Sequence, residues 1–289
     1  MNTKSELPLV TVGMPVYNEE KYIEDALKSI INQDYDNLEI LISDNHSTDK
    51  TGVICRGYAE KDQRIHYHCH DKNIGVAANH IYLTQKARGE YFMWAAGHDK
   101  RSINLVSQCI FQLENIETAP VAFGTPVWIG KDGKPSGTFA GWYDTRGLNP
   151  VARFFMVFWG SMNPILGIFR RKDLPDLKSY DYAGADLVLL AELALKGGFI
   201  HAANTSFYRR ETRTVKNYDE KIKRYKSEET QIANTFFSKL FPLAKLPFEL
   251  LRIVLQAKIG ILEKSCIIAL LIPSFPIRYI LGKKDHIVK

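Results

Sequence analysis

Residues Val10 to Thr51 read VTVGMPVYNEEKYIEDALKSIINQDYDNLEILISDNHSTDKT, and this stretch decides the fold. Leu9 to Val16 is mostly apolar and β-branched, the composition of a parallel strand buried on both faces. Asn18 is placed to cap a helix, and Glu19 and Glu20 suit its first turn. Tyr22, Ile23, Ala26, Leu27, Ile30 and Ile31 then share one helical face. Leu38 to Ile42 makes a second strand, with Asp44 just past its carboxyl end. Open α/β sheets bind ligands outside the carboxyl ends of their strands, so Tyr17, Glu19 and Asp44 are expected to crowd one site.

The same unit repeats onward. Ser47-Thr48-Asp49 can cap a helix running to about Glu60, and Arg64 to His70 reads as a third strand. Asp71 to Gly75 turns into a helix reaching about Ala87, and Tyr91 to Ala96 is a strand ending at Gly97-His98-Asp99. Strands alternating with helices at this spacing predict an α/β fold with a mostly parallel, doubly wound sheet. The pattern then loosens into a helix over Ile103 to Ile116 and a hairpin over Val121 to Phe139, turning at Lys131-Asp132-Gly133-Lys134. A strand over Asn163 to Arg171, a helix over Gly184 to Lys196 with Asp186 in its first turn, and a strand over Phe199 to Arg210 follow. Beyond Lys216 the periodicity is purely helical, which divides the chain into 1–215 and a helical region at 216–289.

A chain of 289 residues, 45% hydrophobic and 24% charged, has the composition of a globular protein with a sizeable core. Cys55, Cys69, Cys109 and Cys266 show neither CxxC nor metal spacing, and the polar MNTKSELP start lacks a signal peptide's apolar stretch. A reduced, cytoplasmic setting is expected. From Lys216 onward there are 14 Lys/Arg against 7 Asp/Glu, while residues 1–215 hold 24 against 25, so all the excess positive charge lies in the tail. Phe236 to Leu246, Phe248 to Leu262 and Cys266 to Leu281 are apolar helical stretches, and the longest uncharged run falls short of the ~20 residues a spanning helix needs. Two prolines interrupt the last. This basic region is expected either to lie on an anionic membrane surface or to cover the preceding domain. Nucleic-acid binding is disfavoured, because the basic residues are mixed with too much aliphatic surface.

Taken together, PVYNEE, ISDNHSTD, NIGVAAN, ARGEYFMWAAGHD and GADLVLLAELALKGGF followed by FYRR resemble a family 2 glycosyltransferase of the inverting type, over roughly residues 8–212. The resemblance implies the GT-A fold, a Rossmann-like sheet, here with a basic helical appendage. It implies that Pro15, Val16, Tyr17, Glu19 and Asn73 hold a nucleotide sugar and that Asp44 hydrogen-bonds its base, usually uracil. Asp99 would bind the diphosphate through Mn²⁺ or Mg²⁺, and Asp186 would deprotonate the acceptor hydroxyl. His98 stands where the family usually has Asp; imidazole can bind Mn²⁺, although oxygen suits hard cations better. Glu211, where many relatives have a metal-binding His, could supply the missing oxygen. Ala78 replaces an arginine that often helps hold the donor.

The expected activity is inverting transfer of a sugar from a nucleotide diphosphate sugar, UDP-linked, to an acceptor hydroxyl. A lipid-linked saccharide at the inner face of the cell membrane is the expected acceptor, in surface polysaccharide assembly. A sugar nucleotidyltransferase would want a glycine- and arginine-rich triphosphate loop after the first strand, and PVYNEE is acidic and glycine-free. A non-catalytic nucleotide-sugar or membrane-binding module is the other alternative; the altered metal block allows it and Asp186 disfavours it.

Overall fold

The computed structural model describes residues 7–138, 140–211 and 243–284. The strands are β1 (Val10–Val16), β2 (Leu38–Asp44), β3 (Ile65–Cys69), β4 (Tyr91–Trp94), β5 (Lys100–Arg101), β6 (Val121–Ile129), β7 (Ile168–Arg170) and β8 (Ile200–Arg210). The helices are α1 (Ile23–Ile31), α2 (Thr51–Ala59), α3 (Val76–Lys86), α4 (Leu105–Asn115), α5 (Pro150–Trp159), α6 (Ala185–Lys196), α7 (Leu246–Gln256) and α8 (Ile261–Lys284). One sheet runs in the order β3-β2-β1-β4-β7-β6-β8-β5. Pairing is parallel through β3-β2-β1-β4 and between β6 and β8, and antiparallel where β7 joins β4 to β6 and where β5 joins β8. Val16 lies opposite Asp44, so the first two strands end level with each other.

The doubly wound first half forms as the sequence predicts, with local shifts that have physical causes. Asn18 does not cap α1, which begins at Ile23; it adopts a left-handed φ of 53°, which asparagine tolerates, and bonds a neighbouring loop instead. The predicted apolar face of α1 is buried at Ile23, Ala26, Leu27 and Ile30. The hairpin after β6 does turn at Gly133, φ 81°, with Gly130 N–H donating to the Lys134 carbonyl. Among the described residues its return arm makes a single bridge, Ile129 to Pro135, with Ser136 N–H donating to the Trp128 carbonyl. Residues 163–166, predicted as strand, form a 3₁₀ turn with Pro164 near its start, and only Ile168–Arg170 pairs. Helix α5 and the two-residue β5 were not expected from the sequence.

The tail behaves as a cover. The stretch from Phe248 to Leu262 breaks between α7 and α8, and α8 continues through Pro273 and Pro276 rather than stopping at them. Leu250, Ile253 and Val254 of α7 and Ile267 of α8 are buried in the same core as Phe154 and Phe158 of α5 and Leu187 and Leu190 of α6. Residues 236–242, and the boundary near 215, lie outside the described residues.

A buried carboxylate fastens the parallel half. Glu39 on β2 accepts the Thr11 hydroxyl of β1 (2.6 Å), the Arg88 main-chain N–H (3.0 Å) and Arg88 Nε (2.5 Å), while Gly89 N–H donates to the Thr11 hydroxyl (2.9 Å). Burial pushes the Glu39 carboxyl up, but these hydrogen bonds outweigh it and hold the group below the ordinary 4.5. A depressed folded-state value stabilises the protein above the unfolded value, and the gain is lost as pH falls through the folded one. Glu39→Gln is therefore expected to cost about 1–3 kcal/mol at pH 7. The gap from wild type should close below roughly pH 4 in denaturant titrations; a pH-independent gap would contradict this account.

Candidate active site

β1 hands over to a loop that a second loop zips in place. The N–H groups of Asn18, Glu19 and Glu20 donate to Ser47 Oγ (3.0 Å), Thr51 Oγ1 (2.7 Å) and Asp49 Oδ2 (3.0 Å). In the opposite direction Thr48 N–H donates to Asn18 Oδ1 (2.8 Å) and Lys50 N–H to Glu20 Oε2 (3.1 Å). Both strands end here, so their orphaned main-chain donors are satisfied reciprocally. Pro15 is half-buried and Tyr17 is exposed at the mouth of this loop.

Asp44 reaches the predicted edge, but its carboxylate turns inward. It is 1% exposed, and Ser47 N–H donates to Oδ1 while the Tyr67 hydroxyl donates to Oδ2, both at 2.8 Å. Burial, then the bond to Asp44, pushes the Tyr67 phenol well up, which keeps it a donor. Asn45 was missed by sequence reasoning, although strand alternation turns it opposite to Asp44. Its amide donates to Asn73 Oδ1 (2.9 Å) and accepts Ile74 N–H (2.8 Å), linking Asn73 to the same edge.

The loop after β4 closes on Glu19. A Cβ at Gly97 would lie 3.1 Å from both Glu19 and Val16 side chains, so the loop packs tightly there. Glu19 Oε1 accepts the His98 Nδ1–H at 2.8 Å, and His98 Nε2 lies 3.8 Å from Asp99 Oδ1. Asp99 is 4% exposed, and Arg210 N–H of β8 donates to its Oδ1 at 2.9 Å. The Arg210 guanidinium is buried; it donates to the carbonyls of His98 (3.0 Å), Gly130 (3.3 Å) and Lys131 (3.0 Å) and pairs with Asp25 (3.4 Å). Arg209 donates to Asn163 Oδ1 at 2.7 Å and lies 4.5 Å from the Trp128 ring centre. Burial lowers the Arg209 guanidinium, against the charge of Asp99. Glu211 is exposed, its N–H donating to Ile129 O; among the described residues no three Glu, Asp, His or Cys side chains converge tightly enough to hold an ion alone.

Asp186 stands in the first turn of α6, exposed, with the following N–H donating to its own Oδ1. Gly184, φ 86°, begins that turn against Leu246 of α7. From α8, Arg278 lies over Phe158 at 5.0 Å. Burial lowers the Arg278 guanidinium, and the charge of Asp186 opposes that. A tail residue beside Asp186 was not legible from the sequence. Between the two groups of acids runs Asn163, whose amide donates to the Ala140 and Gly141 carbonyls (2.6 and 2.7 Å) while its oxygen accepts Arg209.

Comparison with known proteins gives the arrangement a context. The family model for "Glycosyl transferase family 2" matches residues 11–158. An "Uncharacterized glycosyltransferase" of Haemophilus influenzae is 34% identical over 110 residues, 38% of this chain and 44% of that one. The "Putative teichuronic acid biosynthesis glycosyltransferase TuaG" of Bacillus subtilis is 32% identical over 133 residues, 46% of this chain and 52% of that one. The match thus spans about half the length of these relatives. Among solved structures, S. aureus TarS 1–349 in complex with UDP-GlcNAc superposes with a TM-score of 0.65 at 17% identity, covering 91% of this chain and 71% of that one. At that identity the likeness concerns the fold alone, and the fold is GT-A.

Proposed function

The chain belongs to glycosyl transferase family 2, and from that membership we propose that it moves a sugar from a UDP-linked donor onto an acceptor hydroxyl with inversion. The observation that carries the reading is the meeting of Glu19, His98 and Asp99 at the carboxyl edge of β1 and β4, with the β8 arginines behind them. A relative named for teichuronic acid biosynthesis and a structural neighbour that binds UDP-GlcNAc support a surface polymer and a UDP donor. In this reading Pro15, Val16, Tyr17 and Asn73 border the nucleoside. Asp44 acts through the loop it fixes.

The residues at 98 and 99 suit a divalent cation. A histidine that ligates a metal through one nitrogen donates its other N–H to a carboxylate, and Glu19 already accepts that bond from Nδ1. His98 Nε2 and Asp99 would hold Mn²⁺ or Mg²⁺, with substrate phosphates completing the coordination. When bound, such an ion neutralises charge on the departing diphosphate. Asp186 takes the proton of the acceptor hydroxyl as that oxygen bonds the anomeric carbon; the carbon–oxygen bond to the diphosphate breaks and its electron pair leaves with UDP.

The acceptor in this reading is a lipid-linked saccharide reached at the inner membrane face. Phe248, Ile261 and Leu262 are 73%, 80% and 78% exposed on α7 and α8, near Lys258 and Lys264, which supports peripheral contact with an anionic surface. No helix among the described residues is long and apolar enough to cross a membrane.

Three outcomes test this. Asp186→Asn should cut kcat by about 10²–10⁴-fold with donor binding retained; lost donor binding would mean a different role. Glu19→Gln should weaken Mn²⁺ binding by about 10–100-fold in titrations of the UDP complex, with uridine affinity unchanged. Replacing both Ile261 and Leu262 with Asp should abolish sedimentation with phosphatidylglycerol vesicles without lowering Tm; unchanged sedimentation would remove the membrane from the account.

A further inference from the structure

Arg101 is an unusually exposed-in-charge but hidden-in-space residue: it is only 5% accessible, yet the protein does not satisfy it. One terminal nitrogen donates to the Trp94 carbonyl at 3.3 Å. Its Nε and other terminal nitrogen are buried with no acceptor among the described residues. Arg101 lies on β5, two residues after Asp99, and the bond to the Trp94 carbonyl ties its guanidinium to the carboxyl end of β4.

The charges around Arg101 do not balance. The charged groups it faces are Asp99 and Arg209, and the one Arg209 faces is Asp99. Asp99 already accepts Arg210 N–H and lies near His98. A buried guanidinium and a half-buried one therefore share one carboxylate. A desolvated charge lacking a partner is strongly unfavourable, so a site that retains one is built to receive an opposite charge. Water or a sugar hydroxyl would occupy the N–H groups but leave the charge. A phosphate does both, and the planar guanidinium fork matches its oxygens.

We propose that Arg101, assisted by Arg209, is the protein's own clamp for the donor diphosphate, an inference that rests on the nucleotide-sugar reading above. Negative charge grows on the leaving oxygen as the bond to the sugar breaks, and the Arg101 guanidinium, once its buried N–H groups turn onto the diphosphate, answers that charge. A divalent ion at Asp99 increases the positive excess and so acts alongside the clamp.

Calorimetric titration of wild type, Arg101→Gln and Arg101→Lys with uridine, UDP and inorganic pyrophosphate, in EDTA, tests this, together with the Tm of each free protein. Arg101→Gln should lose about 10–100-fold in affinity for UDP and pyrophosphate. Its uridine affinity should hold, and its unliganded Tm should be equal or higher because an uncompensated charge is gone. Arg101→Lys keeps the charge without the fork and should fall between. UDP affinity unchanged in Arg101→Gln overturns the clamp while leaving the UDP donor standing. Uridine and UDP affinities falling together with Tm also overturn it, as a merely structural role. Arg101-dependent pyrophosphate binding with no gain from uridine upholds the clamp and removes the uridine donor instead.

Discussion

Parallel pairing of β1 with both β2 and β4 is the constraint from which the site follows. It forces the chain ends of those strands onto one edge, and each end brings an acid: Glu19, Asp44 and Asp99. Three carboxylates gathered this way repel unless each is answered. Asp44 is answered locally, by Ser47 N–H and the Tyr67 hydroxyl. Glu19 takes the His98 ring and Asp99 takes the Arg210 main chain. That last partner comes from β8, some hundred residues later. The acidic half of the site is therefore electrostatically incomplete until the sheet is extended through β7 and β6 to the strand that delivers Arg209 and Arg210.

What could be read from the sequence was what periodicity and strand ends encode. The run from Val10 to Asp44 has long apolar strands and a clean helical face, so its elements and the edge carrying Glu19 and Asp44 were legible. The direction of the Asp44 carboxylate was not, because it depends on Tyr67 from β3 reaching it across the sheet. Helix α5 was missed since PVARFFMVFW is apolar almost throughout, and a short apolar run does not declare its period. Asn149 and Pro150 were the available signal: an N-cap whose side chain accepts Ala152 N–H, then proline at the first helical position. The prolines of the tail misled in the other direction, reading as an end to a helix that runs through them. Arg101 carries no sequence signal, since nothing in GHDKRS says that a lysine will be half-exposed and the next arginine buried.

The tail shows why composition fixes a segment's character more readily than its place. Its positive excess and apolar stretches fit a surface helix, yet Leu246, Leu250, Ile253, Val254, Ile267 and Leu271 are buried in the core with α5 and α6. Once α8 is docked there, Arg278 stands over Phe158 with Asp186 and Tyr143 in electrostatic reach. The same packing lets Leu246 of α7 seat against Gly184, the left-handed residue that starts the Asp186 turn. The proposed base on α6 and the tail residues that set its surroundings thus both lie beyond the family-matched segment.

In the proposed reading, single displacement requires the leaving group and the proton acceptor to be held in fixed relation, since small misplacements of the reacting groups are costly. A series of contacts runs between the two residues proposed for those roles, Asp99 and Asp186. Asp99 faces Arg209; Arg209 donates to Asn163; Asn163 donates to Ala140 and Gly141; and that loop continues to Tyr143, which faces Arg278 and, through it, Asp186. Asn163 is the joint, and its chemistry explains the residue. Its oxygen must accept from a guanidinium while its nitrogen donates to two carbonyls, a division of labour that the side-chain amide provides and a carboxylate cannot. It is buried, so an unmatched group there would be costly on either side. The β8 arginine and the loop leading to Tyr143 are consequently positioned by one side chain.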